Sequence, residues 1–277
     1  MTGRRKVSVI YTEILIWIFC IIFFAPMLFV ILNAFKDYRD IILSPIALPS
    51  RLAFENFKAA WEYTNFSKVF FNSFMISAIG SVGTVILSSM CAYMLSRTNS
   101  KASKFIFTLL MLAMMVPFQT VMLPIAKISK VLSMNNNIYA IAVVYIGYSC
   151  SLAVLLYHGF VKNIPREIEE SAFIDGCSRL KMFFKIVFPL LKPISSTVLI
   201  IYALQFWNDL LLPLILISKK SGFTIPLAQM AFYGHFTTTD WNLLLASAVL
   251  TSLPMMILYA VMQKQIIGGL VSGAVKG

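Results

Sequence analysis

Long apolar runs, separated by short polar stretches, occupy most of the chain. Six of them, near residues 11–32, 69–95, 105–123, 138–160, 194–217 and 243–262, are long enough to cross about 30 Å of hydrocarbon as helices. Pro26, Pro117, Pro213 and Pro254 interrupt four of these runs, which a bundle tolerates where neighbouring helices re-satisfy the freed carbonyls. The second run repeats small residues at every fourth position, Gly80, Thr84, Ser88 and Ala92 in one row and Ser73, Ser77 and Ser81 in another. That spacing lets helix backbones approach closely, so this run is expected to pack inside the bundle or against a partner subunit. The pattern predicts an all-α integral membrane protein with six transmembrane helices in a single domain, 1–277. Two connecting stretches exceed the common loop length of about 12–15 residues. Residues 36–68, with Pro45, Pro49, Trp61 and Tyr63, are expected to be structured; 219–241 carries Gly222, Gly234, His235 and Thr237 to Thr239.

One polar interruption, 162–193, has a helical pattern of its own. Asn163 is placed to cap a helix, and Pro165 suits its first turn because its missing N–H would be unpaired there. Glu167, Glu169 and Glu170 crowd that turn, where the helix dipole favours carboxylates. Gly176 can take the left-handed geometry that ends a helix, giving about ten residues, roughly 15 Å long. Ser178 is placed to cap a second helix, with Leu180, Phe183, Phe184 and Val187 on one side and Arg179, Lys181 and Lys185 on the other. A stiff helical elbow between two membrane spans is a docking handle.

Composition narrows the class further. Among 277 residues, 59% are hydrophobic and only 12% charged, about half the charged share of a globular chain. The net charge of +12 invites a nucleic-acid reading, but the cations are scattered in short loops and form no basic face with interleaved aromatics. Membrane orientation accounts for them instead. If both termini are cytoplasmic, fourteen of the 23 basic residues lie inside and nine outside, as the positive-inside rule favours. Cys20, Cys91, Cys150 and Cys177 are far apart and suggest neither a disulfide framework nor a metal site. Arg4-Arg5-Lys6 ahead of an apolar run is like a signal peptide, yet the run is long and no small-residue cleavage site follows, so it is expected to be a retained first span.

The elbow resembles the coupling loop of membrane subunits of ATP-binding-cassette importers, in which Glu-Ala-Ala, three residues, Gly, nine residues and Ile-x-Leu-Pro keep a fixed register. Glu170-Ser171-Ala172, Gly176, Ile186 and Pro189 fall at those spacings; Ser171 and Phe188 depart from the usual Ala and Leu. The span count, the long first outer loop and the tail from Gly268 to Gly277 are similar to maltose-type permease subunits of carbohydrate uptake. The resemblance implies type I importer architecture, with a cytoplasmic coupling helix whose ATPase-docking residues are Glu167, Glu169, Glu170, Ser171, Ala172, Asp175 and Gly176. It implies a second, non-identical permease subunit, two copies of a cytoplasmic ATP-binding cassette subunit and an external solute-binding protein. It also implies that the tail slips between the ATPase subunits, and that ATP and Mg are used by them, this chain binding no cofactor.

The fifth run contains Gln205, Phe206, Trp207, Asn208 and Asp209. A carboxylate in hydrocarbon costs about 2.5–3.5 kcal/mol on insertion scales, so Asp209 needs a partner or water. Gln205, Trp207, Asn208 and Asp209 suit a sugar pathway, since rings stack on indole and hydroxyls bond amides; alternatively Asp209 pairs with the sister subunit. A Trp-Asn pair of this kind is similar to one in sugar-type permeases. Three rivals stand beside this reading. An importer for a non-sugar solute shares the coupling motif, and a self-sufficient carrier needs paired intramembrane ionisable groups. An intramembrane hydrolase needs a base near Ser149, while His158 and His235 lie toward opposite ends. No phosphate-cradling loop is present, because Ala274 stands where its lysine belongs.

Overall fold

A computed structural model of the chain describes residues 3–233 and 239–274, with side chains placed over 10–233 and 239–263. Helices dominate, and the β-structure among the described residues is one isolated bridge, Tyr233 to Thr239. Four helices are long and apolar enough to cross a membrane: α1 (Gly3–Ala34), α4 (Phe66–Arg97), α7 (Ile138–Lys162) and α14 (Trp241–Ala274).

The third and fifth predicted spans are not straight helices. Around Pro117 the chain breaks into α5 (Lys101–Met114) and α6 (Phe118–Val131), which meet at 105°. A proline cannot donate to the preceding turn and pushes its predecessor out of helical geometry, so α5 stops short of it. Ahead of the fifth, within the polar stretch 162–193, α9 (Arg179–Met182), a π-helical turn (Phe183–Val187) and α10 (Phe188–Leu190) form one rod, bent by 80° from α11 (Lys192–Asn208), which carries most of the fifth. After Asp209 and Leu210 the chain resumes as α12 (Leu211–Leu216).

The chain divides into two compact units. One comprises residues 67–228 and 254–277. Here the small-residue rows of α4 behave as the spacing predicts: Ser73, Ser77, Gly80, Ser81, Thr84, Ser88 and Ala92 are all buried. A Cβ on Gly80 would stand 2.9 Å from the ring of Phe206 in α11, and one on Gly83 would collide with Ile146 of α7. The close packing is therefore within this chain. Tyr145 stacks on Phe206 at 4.2 Å, and the Tyr157 hydroxyl donates to Ser195 Oγ at 3.0 Å, fastening α7 to α11.

Contacts at the helix ends separate two poles of this unit. At one, Arg97 of α4 reaches the segment after α7. At the other, Asn72 donates to the carbonyls of Ser221 and Phe223, and Asn136 Oδ1 accepts from the backbone of Ser218 and Lys219. The cations of 97–104 and 162–185 thus gather at one pole.

The other unit comprises residues 1–66 and 229–253. Its long loop is structured, as expected, with α2 (Tyr38–Leu43) and α3 (Glu55–Thr64). Lys36, 1% exposed, donates to the carbonyls of Ser44 and Pro45, both at 3.0 Å. Asn56 donates to the carbonyls of Ala34 and Lys36 and accepts from Asn242. Arg51 clasps Asp37 with two hydrogen bonds, and that bonding holds the Asp37 carboxyl below its usual range. A depressed carboxylate contributes stability that is present above its unfolded value near 3.8 and lost as pH falls through the lowered one. Arg51→Gln is therefore expected to raise the Asp37 titration midpoint toward 3.8 in an NMR pH series; an unmoved midpoint would contradict the clasp.

Alpha1 and α14 carry Pro26 and Pro254 inside continuous helices. The backbone of α14 stays helical through Ala274; of the tail, Val275 to Gly277 lie outside the described residues.

Candidate functional site

The elbow begins where α7 ends. Asn163, expected to start the next helix, instead closes α7, with its amide donating to the Gly159 carbonyl at 3.3 Å. Pro165 keeps Ile164 from continuing the helix and itself stands at the N-cap of α8 (Arg166–Ile174). The far end follows expectation. Gly176 has φ +76°; its N–H donates to the Phe173 carbonyl and that of Cys177 to Ala172, both at 3.0 Å, the paired bonds of a left-handed glycine stop. Ser178 occupies the cap of α9 but its hydroxyl makes no capping bond.

The expected docking residues divide between two faces of α8. Glu167, Glu170, Ser171, Asp175 and Gly176 are exposed. Ala172 is buried, 7% exposed, against this chain. Glu169 also turns inward: it pairs with Arg97 at 2.6 Å, the two side chains being 12% and 14% exposed. Tyr93 donates to its second oxygen at 2.9 Å, and Arg97 also bonds the Ile164 carbonyl at 2.8 Å. Glu169 is thus a strut to α4 and not a free docking carboxylate. Beside the polar residues stand Phe173 and Ile174, 65% and 84% exposed. Neither was expected at the docking face; the signal was two adjacent large apolar side chains closing a nine-residue helix that begins with charged residues.

The fifth-span cluster also divides. Gln205, Asn208 and Asp209 line a cavity of about 590 Å³ together with Phe118, Gln119, Tyr145 and Tyr148. Trp207, 2% exposed, faces away and packs edge-on against Phe70 at 5.6 Å. The reason is helical period: residues 205, 208 and 209 share a face, whereas 207, two positions from 205, is directed elsewhere. Asp209 finds its partners within this chain, accepting from the Tyr145 hydroxyl at 2.6 Å and from the N–H groups of Leu211 and Leu212. It satisfies the donors that the helix break exposes at the start of α12. Gln119, Tyr145 and Tyr148 were not anticipated, because their proximity to Gln205 is purely tertiary. His158 stacks on Phe107 at 4.1 Å, His235 lies outside the described residues, and among the described residues no metal-binding cluster forms.

Residues 84–268 match the model of the family described as binding-protein-dependent transport system inner membrane component. The chain is 34% identical over 263 residues to a probable starch degradation products transport system permease protein, AmyC, of Thermoanaerobacterium thermosulfurigenes, covering 95% of this chain and 93% of the relative. It is 34% identical to the melibiose/raffinose/stachyose import permease protein MelC of Bacillus subtilis and 32% to the multiple sugar-binding transport system permease protein MsmG of Streptococcus mutans, each covering 100% of both chains. Its fold matches a chain in the crystal structure of a bacterial ABC transporter involved in alginate import, with TM-score 0.80 at 19% identity over 95% of this chain and 98% of that one. These matches set aside the intramembrane hydrolase and the self-sufficient carrier. The chain belongs to the family of binding-protein-dependent transport system inner membrane components: it is a multi-pass permease subunit of the ABC importer class and not an enzyme.

Proposed function

We propose that this chain forms half of the translocation pathway of an importer that carries a sugar or oligosaccharide into the cell. The observation that carries this reading is the full-length likeness to permeases named for starch products, raffinose-type sugars and multiple sugars. The cavity chemistry accords with it: amides of Gln119, Gln205 and Asn208 can bond hydroxyls, and Phe118 and Tyr148 supply ring surface. In this reading each bent pair counts as one crossing, giving six spans with both termini cytoplasmic in the cell membrane. The cation-rich pole then faces the cytoplasm, as the positive-inside rule favours.

Helix α8 is the coupling helix. Its outer face, Glu167, Glu170, Ser171, Asp175 and Gly176 with Phe173 and Ile174, seats in a groove of a separate ATPase subunit. Two such subunits use ATP and Mg, a second, non-identical permease completes the pathway, and an external solute-binding protein delivers the sugar. Glu169 and Ala172 hold α8 to its own spans, so a push on the outer face moves α4 and α7 as well.

Affinity purification in mild detergent tests the assembly: the ATPase and the second permease should co-purify, and recovery of the chain alone would count against it. For the pathway, Gln205→Ala and Asn208→Ala should lower transport of labelled sugar while the amount of membrane-inserted chain stays normal. Trp207→Ala should instead reduce folded chain, because emptying a buried indole site costs about 3–5 kcal/mol. Normal transport in both amide variants would remove the cavity from the pathway.

A further inference from the structure

A second concavity lies at the cation-rich pole, farther along α7 than the polar cavity. It measures about 490 Å³ and sits between the end of α4, the start of α5 and the last turn of α7. Lys104, Lys162 and Arg166 line it together with Thr98, Asn99 and His158, and its lining contains no carboxylate. The ion pairs among the described residues leave all three cations out. Glu169, on the helix that Arg166 begins, is already committed to Arg97. Scattered loop cations need no explanation beyond orientation; three converging on one hollow, with hydroxyl and amide donors between them, form a receptor for an anion.

The walls add a second feature. Phe107 and Leu95 floor the hollow, and beside it α5 exposes Phe105, Ile106, Leu109 and Leu112, 46–68% open. An acyl chain can lie along that stripe while its headgroup enters the hollow, an arrangement a free ion does not require.

We propose that this hollow binds a phosphate group, presented by the headgroup of an anionic lipid of the adjoining leaflet. Basic pockets between helices at a membrane face suit such headgroups, and phosphate oxygens accept charge-assisted bonds from lysine and arginine. A lipid held there would brace α5 against α7 at the root of the elbow. The leaflet's being the inner one rests on the topology proposed above; the binding itself does not.

The test uses the whole transporter, purified in neutral detergent and titrated with phosphatidylglycerol, phosphatidylcholine or inorganic phosphate, with binding followed by native mass spectrometry and thermal shift. Phosphatidylglycerol should bind and raise the melting temperature where phosphatidylcholine does not. Lys104→Gln with Lys162→Gln should weaken that binding by about 30-fold, from about 1 kcal/mol for each cation near an anionic surface. Lys104→Arg with Lys162→Arg should restore it, which separates lost charge from misfolding. Equal response to both lipids, or undiminished binding in the glutamine pair, would overturn the proposal. Protection by inorganic phosphate with none by phosphatidylglycerol keeps the phosphate site and overturns the lipid as its source. Loss of ATPase co-purification in the glutamine pair with lipid binding intact assigns the hollow to an acidic ATPase segment and overturns it altogether.

Discussion

Gly176→Pro is expected to stop sugar uptake while leaving the chain inserted in the membrane. Proline fixes φ near −65°, and position 176 holds φ +76°. The substitution also deletes the N–H that donates to the Phe173 carbonyl at 3.0 Å, so the turn joining α8 to α9 cannot form. No spans are disturbed, since a Cβ at 176 would meet nothing within 4 Å. For the same reason Gly176→Ala suffers only the left-handed penalty, about 1–2 kcal/mol, and should retain part of the uptake. In proteoliposomes containing the full transporter, the proline variant should hydrolyse ATP without accumulating sugar. Uptake at the unsubstituted rate in Gly176→Pro would refute the elbow as the coupling element.

The second large effect falls on Arg97 and Glu169. Both side chains are largely withdrawn from solvent, and their contact is reinforced by Tyr93 and the Ile164 carbonyl. Removing one partner leaves a buried charge uncompensated, a loss of about 3–5 kcal/mol. Arg97→Ala and Glu169→Ala are each expected to lower the melting temperature of the purified transporter and to impair uptake. Replacing both at once, as Arg97→Met with Glu169→Leu, should recover much of the thermal stability, because apolar pairs of similar volume often substitute for buried ions without loss. Uptake should not recover in step, since the directional link between α4 and α8 is gone. A double variant as unstable as the single ones would show that the two charges do not act as a pair.

These expectations differ from what the elbow's sequence alone suggests, and Glu169 shows why. Three glutamates in one helical turn favour the N-terminus of α8 through its dipole, and that reasoning treats them alike. Glu169 differs from Glu167 and Glu170 because Arg97, far away in sequence, arrives beside it. The same separation governs the fifth span. Reading Gln205 to Asp209 as one patch ignored the turn of the helix, which brings 205, 208 and 209 together and sends Trp207 into the core beside Phe70. That error was correctable from helical period alone; the arrival of Gln119 and Tyr148 at the same cavity was not.

What the chain's local order determined by itself was considerable. Apolar run length, the four-residue spacing of small side chains and the glycine stop at 176 act within a few residues of themselves, so the membrane class, the buried face of α4 and the end of α8 were legible; Pro117 marked an interruption but not a 105° turn, since Pro26 and Pro254 stay inside continuous helices. The register of Glu170, Ala172, Gly176 and Pro189 carried the family as well. Only tertiary structure decided which carboxylates are spent inside the protein and which face outward, because that depends on partners 64 to 72 positions away, Tyr145 for Asp209 and Arg97 for Glu169. Burial makes those pairings strong, and nothing in a short window of sequence records which helix will supply the other half.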